Sequence, residues 1–294
     1  MRERTAIAVG VDGSWADNGA VDWALHESEV SAAPIRVLHV LDDRPPIGPY
    51  FNFPGANAAA KQLIDDVREY LDQHDSAAQH TGAVLSGPPA HTLAGSTAGD
   101  RMLVVGRRGR GVFGRLLIGS TAEAVVHESD TAVVVVPPKW KPGDPQAPVV
   151  VGVDDLERCE AAVDFAVRFA TERGAPIRLV HIWDVPRMFT GDEAAAVNTV
   201  DLARHYHNQR VDAIIRQCRG KYPEATFAAE LRRGHPVAGL TDATVEADGQ
   251  LLVVGGRAHG RIMSTLLGGT ARGILQHATC PAAIVHQQQP AHSR

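Results

Sequence analysis

The sequence predicts an α/β protein made of two doubly wound domains, each a five-stranded parallel sheet with helices on both faces. Three observations predict this fold class. The chain has 294 residues, about twice a common domain size. Its second half repeats its first half. In each half, apolar runs rich in β-branched residues alternate with segments of helical length.

The internal repeat defines the domains. Four blocks recur in the same order: 7–12 with 149–154, 34–39 with 176–181, 87–93 with 234–240, and 103–106 with 252–255. The period is the size of a domain, which indicates a duplication and excludes a solenoid of short repeats. We therefore predict domains at 1–138 and 148–294. The proline-rich segment 139–147 between them is predicted to be a semi-stiff linker, because proline prevents helix and central strand.

The elements of the first copy follow from the apolar pattern. Strands are predicted near 5–11, 35–41, 81–85, 101–106 and 132–136, and helices near 16–31, 57–78, 89–98 and 119–129. The runs Ile7–Val11 and Val133–Val136 are continuously apolar, as in parallel strands that are buried on both faces. Right-handed crossovers then give a Rossmann-like, doubly wound sheet. Such sheets bind ligands at the carboxyl ends of their strands, at the topological switch point.

Composition excludes several classes of function. The net charge of −5 is spread along the chain, which argues against a nucleic-acid partner held by a global positive field. Cys159, Cys218 and Cys280 form no CxxC pair and no disulfide framework, as is typical of a reducing cytoplasm. No signal-peptide core and no apolar run of about 20 residues is present, so we expect a cytoplasmic protein without a membrane partner.

The first candidate binding segment ends strand one. Gly10, Val11 and Asp12 lead into a turn. The Asp12 carboxylate can accept hydrogen bonds from a ribose hydroxyl or a base amine, or it can cap the following helix. Both interpretations stay open at this point. Asp154 occupies the same place in the second copy.

The second candidate segment follows strand four and opens a helix. Glycines such as Gly106, Gly109 and Gly119 let backbone N–H groups approach a phosphate. Ser120 and Thr121 stand at the helix start, where the positive end of the helix favours an anion. The segment carries four arginines and no acid: Arg107, Arg108, Arg110 and Arg115. A solvated basic loop is the alternative interpretation.

The spacing of Gly106, Gly109 and the Gly119–Ser120 pair resembles the nucleotide loop of the ATP-binding universal stress proteins. The Val-Gly-Val-Asp12 opening, the second strand at 38–40, and the blocks at 87–90 and 103–106 also match that family in order. The two-domain arrangement resembles the tandem members common in actinobacteria. The resemblance implies strand order 3-2-1-4-5, with ATP, alone or with Mg²⁺, lying across strands one and four.

The resemblance also implies which residues hold the nucleotide in the first copy. The opening at Gly10, Val11 and Asp12, with the backbone of Val40, matches the adenine and ribose side. The ribose and phosphate loop matches Val105, Gly106, Arg107 and Gly109, and the helix start that grips the phosphates matches Gly119, Ser120 and Thr121.

The second copy keeps most of this pattern. The matching positions are Gly152, Val153, Asp154, Ile182, Val254, Gly255, Gly256, Gly268, Gly269 and Thr270. Ala258 replaces the second loop glycine, and Thr270 supplies a hydroxyl one place after the lost serine. Because a methyl group at 258 crowds a phosphate or disturbs a backbone suited to glycine, we predict a second site weaker than the first.

Other motifs are incomplete. The GxGxxG at 109–114 follows strand four and not strand one, which argues against a dinucleotide fingerprint, and no GxxxxGK[ST] is present.

His39 and His181 lie at equivalent strand positions and are predicted to be structural. His205 and His207 are two apart on a helix and are predicted to face different directions. Trp23 and Phe165 also lie at equivalent helix positions, where core packing is predicted for both.

The predicted function is an ATP-dependent regulator or sensor in a stress response that acts on unidentified protein partners. Two alternatives stay open: an interaction scaffold that has lost its nucleotide, and a slow ATP hydrolase, for which the sequence offers no catalytic base. The resemblance implies that the last strands, within 131–136 and 281–286, pair the two halves as a pseudo-dimer. A further homodimer of two chains is a weaker expectation.

Overall fold

The computed structural model describes residues 6–44, 55–75, 78–109, 118–184, 193–256 and 267–287. In the first half the strands are β1 (Ile7–Gly10), β2 (Ile35–Leu41), β3 (Thr81–Ser86), β4 (Met102–Gly106) and β5 (Val133–Val136). In the second half they are β6 (Val149–Gly152), β7 (Ile177–Trp183), β8 (Phe227–Arg233), β9 (Leu251–Gly255) and β10 (Ala282–Val285).

Helices follow the strands in both halves. The first half contains α1 (Trp15–Asn18), α2 (Ala20–Ser31), α3 (Ala56–His74), α4 (Pro89–Ser96) and α5 (Ser120–Glu128). The second half contains α6 (Leu156–Thr171), α7 (Glu193–Lys221), α8 (Pro236–Glu246) and α9 (Gly269–His277).

The described strands form one sheet in the order β3-β2-β1-β4-β5-β10-β9-β6-β7-β8. Within each half the strands run parallel in the order 3-2-1-4-5, which confirms the predicted fold class and the strand order. β5 and β10 pair antiparallel, with Val134 opposite Ala283, so the two halves join through their last strands. The switch points fall between β1 and β4 and between β6 and β9.

The helix predicted over 16–31 is interrupted, so the expectation of one continuous helix is wrong. Gly19 separates α1 from α2 and has a left-handed φ of +73°. A Cβ at this position would lie 3.2 Å from the Cβ of Trp140 and 3.3 Å from the Pro137 carbonyl oxygen. Glycine is needed because the linker packs directly against the backbone there.

The core lies on both faces of the sheet and continues between the halves. Trp23 of α2 and Phe165 of α6 are 2% and 3% exposed, which confirms their predicted place in the core. Trp23 stacks on Phe169 across the interface, with ring centroids 6.2 Å apart. Beside them the Arg173 guanidinium reaches the Glu27 carboxylate at 2.7 Å, and both side chains are buried. The halves therefore share one packed interface.

None of the described helices is long and apolar enough to cross a membrane.

Candidate functional site

A cavity of about 610 Å³ opens at the carboxyl edge of the second half of the sheet. All ten residues predicted for the second site line it: Gly152, Val153, Asp154, Ile182, Val254, Gly255, Gly256, Gly268, Gly269 and Thr270. These residues come from four separate stretches of the chain. The sheet order brings them together because β6 lies between β7 and β9.

Strand ends and a helix start shape this cavity. Val153 N donates to the Val180 carbonyl oxygen at 3.0 Å, so the chain stays beside β7 for one residue after β6 ends. Asp154 follows directly and lines the cavity. Gly268 N donates to the Gly256 carbonyl oxygen at 3.2 Å and holds the start of α9 beside the end of β9. The first backbone N–H groups of α9 therefore border the cavity, and they attract anions.

The first domain brings its predicted segments together in the same way. Gly119 N donates to the Arg107 carbonyl oxygen at 2.8 Å, so the start of α5 lies at the end of β4. The Gly109 backbone lies against Asp12 so closely that a Cβ at 109 would collide with the carboxylate. The structure thus places Asp12, Gly109 and Gly119 next to one another. Arg110 and Arg115 lie outside the described residues.

The Asp12 carboxylate also organises its own turn. Ser14 N donates to Asp12 Oδ1 at 2.9 Å, a side-chain turn of the kind expected of an aspartate that follows a strand. Asp12 therefore forms a turn before α1 and does not cap it, since the N-cap residue of α1 is Ser14. The second oxygen, Oδ2, is the atom nearest to the position that a Cβ on Gly109 would occupy.

Arg107 divides its roles between backbone and side chain. Its carbonyl and N–H take part in the loop, where N–H donates to the Val136 carbonyl oxygen at 2.8 Å. Its guanidinium leaves the loop and donates to the Ala278 carbonyl oxygen of the second domain at 2.7 Å. Burial, with the nearby Arg108 charge, lowers the pKa of Arg107. The side chain therefore binds the other domain in this structure.

Sequence reasoning missed Asn18 in the first domain. A Cβ on Gly106 would lie 2.7 Å from Asn18 Cγ, so the loop rests on this buried amide. Asn18 Oδ1 accepts a hydrogen bond at 3.0 Å from the N–H of Ala20, the first residue of α2. The Asn-Gly pair at 18–19 was the available signal, since both residues favour helix boundaries.

Arg158 and Cys159 were also missed, and both line the second cavity from α6. At the same edge, the Arg210 guanidinium of α7 lies 3.2 Å from Asp155 and 3.9 Å from Asp154. Ala258, on which the prediction of a weaker second site depends, lies outside the described residues, as do Arg257, His259 and Arg261. That prediction therefore stays a prediction.

The histidines at equivalent strand positions are structural, as predicted. His39 Nδ1 and His181 Nδ1 each lie 2.8 Å from a backbone carbonyl oxygen, that of Val11 and Val153 respectively. His207 Nδ1 lies 2.8 Å from His181 Nε2, and burial lowers the pKa of His207. His205 instead contacts Gln209, so the two helix histidines do face different directions. Among the described residues, no group of three or more His, Cys, Asp or Glu side chains could hold a metal ion.

A duplicated, doubly wound domain with a glycine-lined cleft at its switch point defines the class: a tandem α/β protein with one candidate ligand site per domain. The sequence model of the universal stress protein family matches residues 3–137 and again residues 147–286. The chain belongs to the universal stress protein family.

Relatives of similar length support this membership. A universal stress protein of Mycolicibacterium smegmatis is 30% identical over 299 residues, covering 95% of this chain and 96% of the relative. A universal stress protein of Mycobacterium tuberculosis is 28% identical, with 97% and 96% covered. The crystal structure of a universal stress protein from Archaeoglobus fulgidus has the same fold, with a TM-score of 0.64 at 16% identity, over 98% of this chain and 100% of that chain.

Proposed function

We propose that this protein binds adenine nucleotide, and ATP in particular, as a nucleotide-dependent regulator of a stress response. The observation that carries the proposal is the second-domain cavity, because every residue predicted for nucleotide contact in that domain lines it. Its volume of about 610 Å³ lies in the range of small-molecule sites, about 300 to 1,000 Å³.

The cavity offers three kinds of surface that suit a nucleotide. Apolar side chains of Ile182, Leu240 and Val254 provide a wall for a flat base. The Asp154 carboxylate can accept hydrogen bonds from ribose hydroxyls or a base amine. The N–H groups at the start of α9 suit phosphate oxygens, and Mg²⁺ would enter with the triphosphate because it binds largely through phosphates and water.

The placement of both sites beside the domain interface supports a regulatory role. The Arg107 guanidinium ties the first loop to the Ala278 carbonyl of the second domain. The Gly256 backbone packs on the ring of His286, and His286 Nε2 lies 2.6 Å from the Val126 carbonyl oxygen of the first domain. A nucleotide that orders either loop would therefore stabilise the interface, where protein partners in the cytoplasm could detect the difference.

Calorimetric titration of the purified full-length chain with ATP, AMP and cyclic AMP, each with and without Mg²⁺, tests this proposal. We expect saturable binding of ATP and turnover well below about 1 per second, the lower range of typical enzymes. Absence of binding by all three nucleotides would contradict the proposal and favour a nucleotide-free scaffold. Turnover above that rate would favour the hydrolase alternative.

A further inference from the structure

The second cavity is lined by an arginine at a position where the first domain has an alanine. Arg158 lies in the first turn of α6, is exposed, and lines the cavity together with Gly268, Gly269 and Thr270. The residue at the corresponding place of the first domain, four positions after the shared aspartate, is Ala16. The difference therefore changes the charge of one site and not of the other.

The backbone fixes the end of the cavity to which Arg158 belongs. The Arg158 carbonyl oxygen lies 3.8 Å from the position that a Cβ on Gly255 would occupy. Gly255 ends β9 and begins the glycine loop, whereas Ile182, on the far side of β6, belongs to β7. Arg158 therefore stands over the loop and the start of α9, where phosphates are expected, and not over the wall that suits the base.

The guanidinium is available to a ligand. Within the described residues, no carboxylate lies within ion-pair distance of Arg158. Asp154 and Asp155, between β6 and α6, instead face the Arg210 guanidinium at 3.9 and 3.2 Å, and Glu160 pairs with Lys221. Arginine suits phosphate because its planar N–H groups can donate two parallel, charge-assisted hydrogen bonds.

The two loops also differ in the residue that directly follows the strand, because Arg107 of the first domain corresponds to Gly256 of the second. The Arg107 guanidinium binds the Ala278 carbonyl of the other domain, so Arg158 does not replace it but adds a cation to the lining of the second cavity.

We propose that Arg158 binds the phosphates of the nucleotide in the second site and makes this site select ligands by phosphate charge. This inference rests on the proposed function. Arg158 is a specificity residue: it favours ATP over adenosine and contributes little to recognition of the base.

The test uses the full-length chain with Gly109→Leu, which closes the first site by placing a bulky side chain against Asp12. Alanine would not serve, because the second domain carries Ala258 at the equivalent position. Arg158→Ala is added to this parent, and ATP and adenosine are titrated by calorimetry. The matched control is Arg168→Ala, which removes the same charge from the same helix about 15 Å further along. Arg158→Lys tests whether charge alone is enough.

We expect Arg158→Ala to weaken ATP binding about 10- to 100-fold, the range for loss of charge-assisted hydrogen bonds, while adenosine binding changes less than about twofold. Arg168→Ala should bind as the parent does, and Arg158→Lys should recover part of the ATP affinity. Unchanged ATP binding in Arg158→Ala, an equal loss for ATP and adenosine, or no binding by the Gly109→Leu parent would each overturn the inference. In all three cases ATP binding by the unmodified chain would leave the proposed function standing, whereas its absence there would contradict that function itself.

Discussion

The two domains differ in the residue that follows the strand at the start of each glycine loop. In the first domain Arg107 follows β4, and its side chain reaches the carbonyl of Ala278, directly after α9. In the second domain Gly256 follows β9, and its missing side chain leaves room for the His286 ring, which reaches the Val126 carbonyl in α5. Each loop is thus tied to a helix of the other domain, but through residues at different positions.

The buried interface shows the same divergence. Glu27 of α2 pairs with Arg173, which follows α6, yet the residue equivalent to Glu27 in the second half is Phe169 and that equivalent to Arg173 is Ser31. Two copies of the first half would bury Glu27 without its cation. After the duplication, each half therefore acquired interface residues that fit the other half and not a second copy of itself.

Removal of one partner of the buried Glu27–Arg173 pair should destabilise the protein most. Arg173→Ala should lower the free energy of unfolding by about 3–5 kcal/mol, because it leaves the Glu27 carboxylate buried without its partner. Chemical denaturation of the full-length chain measures this loss. Arg272→Ala is the matched control: it removes an exposed ion pair to Glu123 across the same interface and should cost less than about 1 kcal/mol. Equal losses in the two variants would contradict the described interface.

Arg107→Ala should have a smaller effect on stability and none on the number of bound nucleotides. The lost bond from guanidinium to the Ala278 carbonyl is worth about 1–2 kcal/mol, since hydrogen bonds to charged groups are worth about 1.5–3 kcal/mol when buried and this side chain is half-exposed. Denaturation and nucleotide titration check both statements. Arg108→Ala removes the neighbouring exposed charge and serves as control. Loss of first-site binding only in Arg107→Ala would show that the guanidinium binds phosphate.

Titration of Glu27 should make the stability of the protein depend on pH. Burial raises the pKa of Glu27 to about 7, although Arg173 opposes the shift. Because the folded protein holds this proton at a pH where the unfolded chain releases it, stability falls as pH rises from about 4.5 to about 7. Glu27→Gln removes this titration. The stability of the unmodified chain relative to Glu27→Gln should therefore be greater at pH 5 than at pH 8, and the opposite order would contradict the shift.

Much of the fold could be predicted because its signals are local. Continuous apolar runs placed β1 and β5 within two or three residues, and the repeat placed the second half by analogy. The break at Gly19 could not be predicted in this way, since it depends on Trp140 of the linker, more than 100 residues away in sequence.

The candidate site was predictable where glycines and the strand-end aspartates carry it. The sequence did not predict Asn18, Arg158 or the contact of Arg107 with the other domain, because each depends on which helix or domain faces the loop. A sequence pattern identifies the residues of a loop. The side chains that face the loop from α1, from α6 or from the other domain are determined only by how these elements pack.

We propose that the chain carries two adenine-nucleotide sites, one at each switch point. The most direct measurement is the number of ATP molecules bound per chain at saturation, in the unmodified protein, in Gly109→Leu and in Gly255→Leu. A Cβ at 255 meets its nearest atom at an ordinary 3.8 Å, so the leucine should fill the second cavity without disturbing the strand. We predict two nucleotides for the unmodified chain and one for each variant. No bound nucleotide, or the same number in all three proteins, would contradict the account.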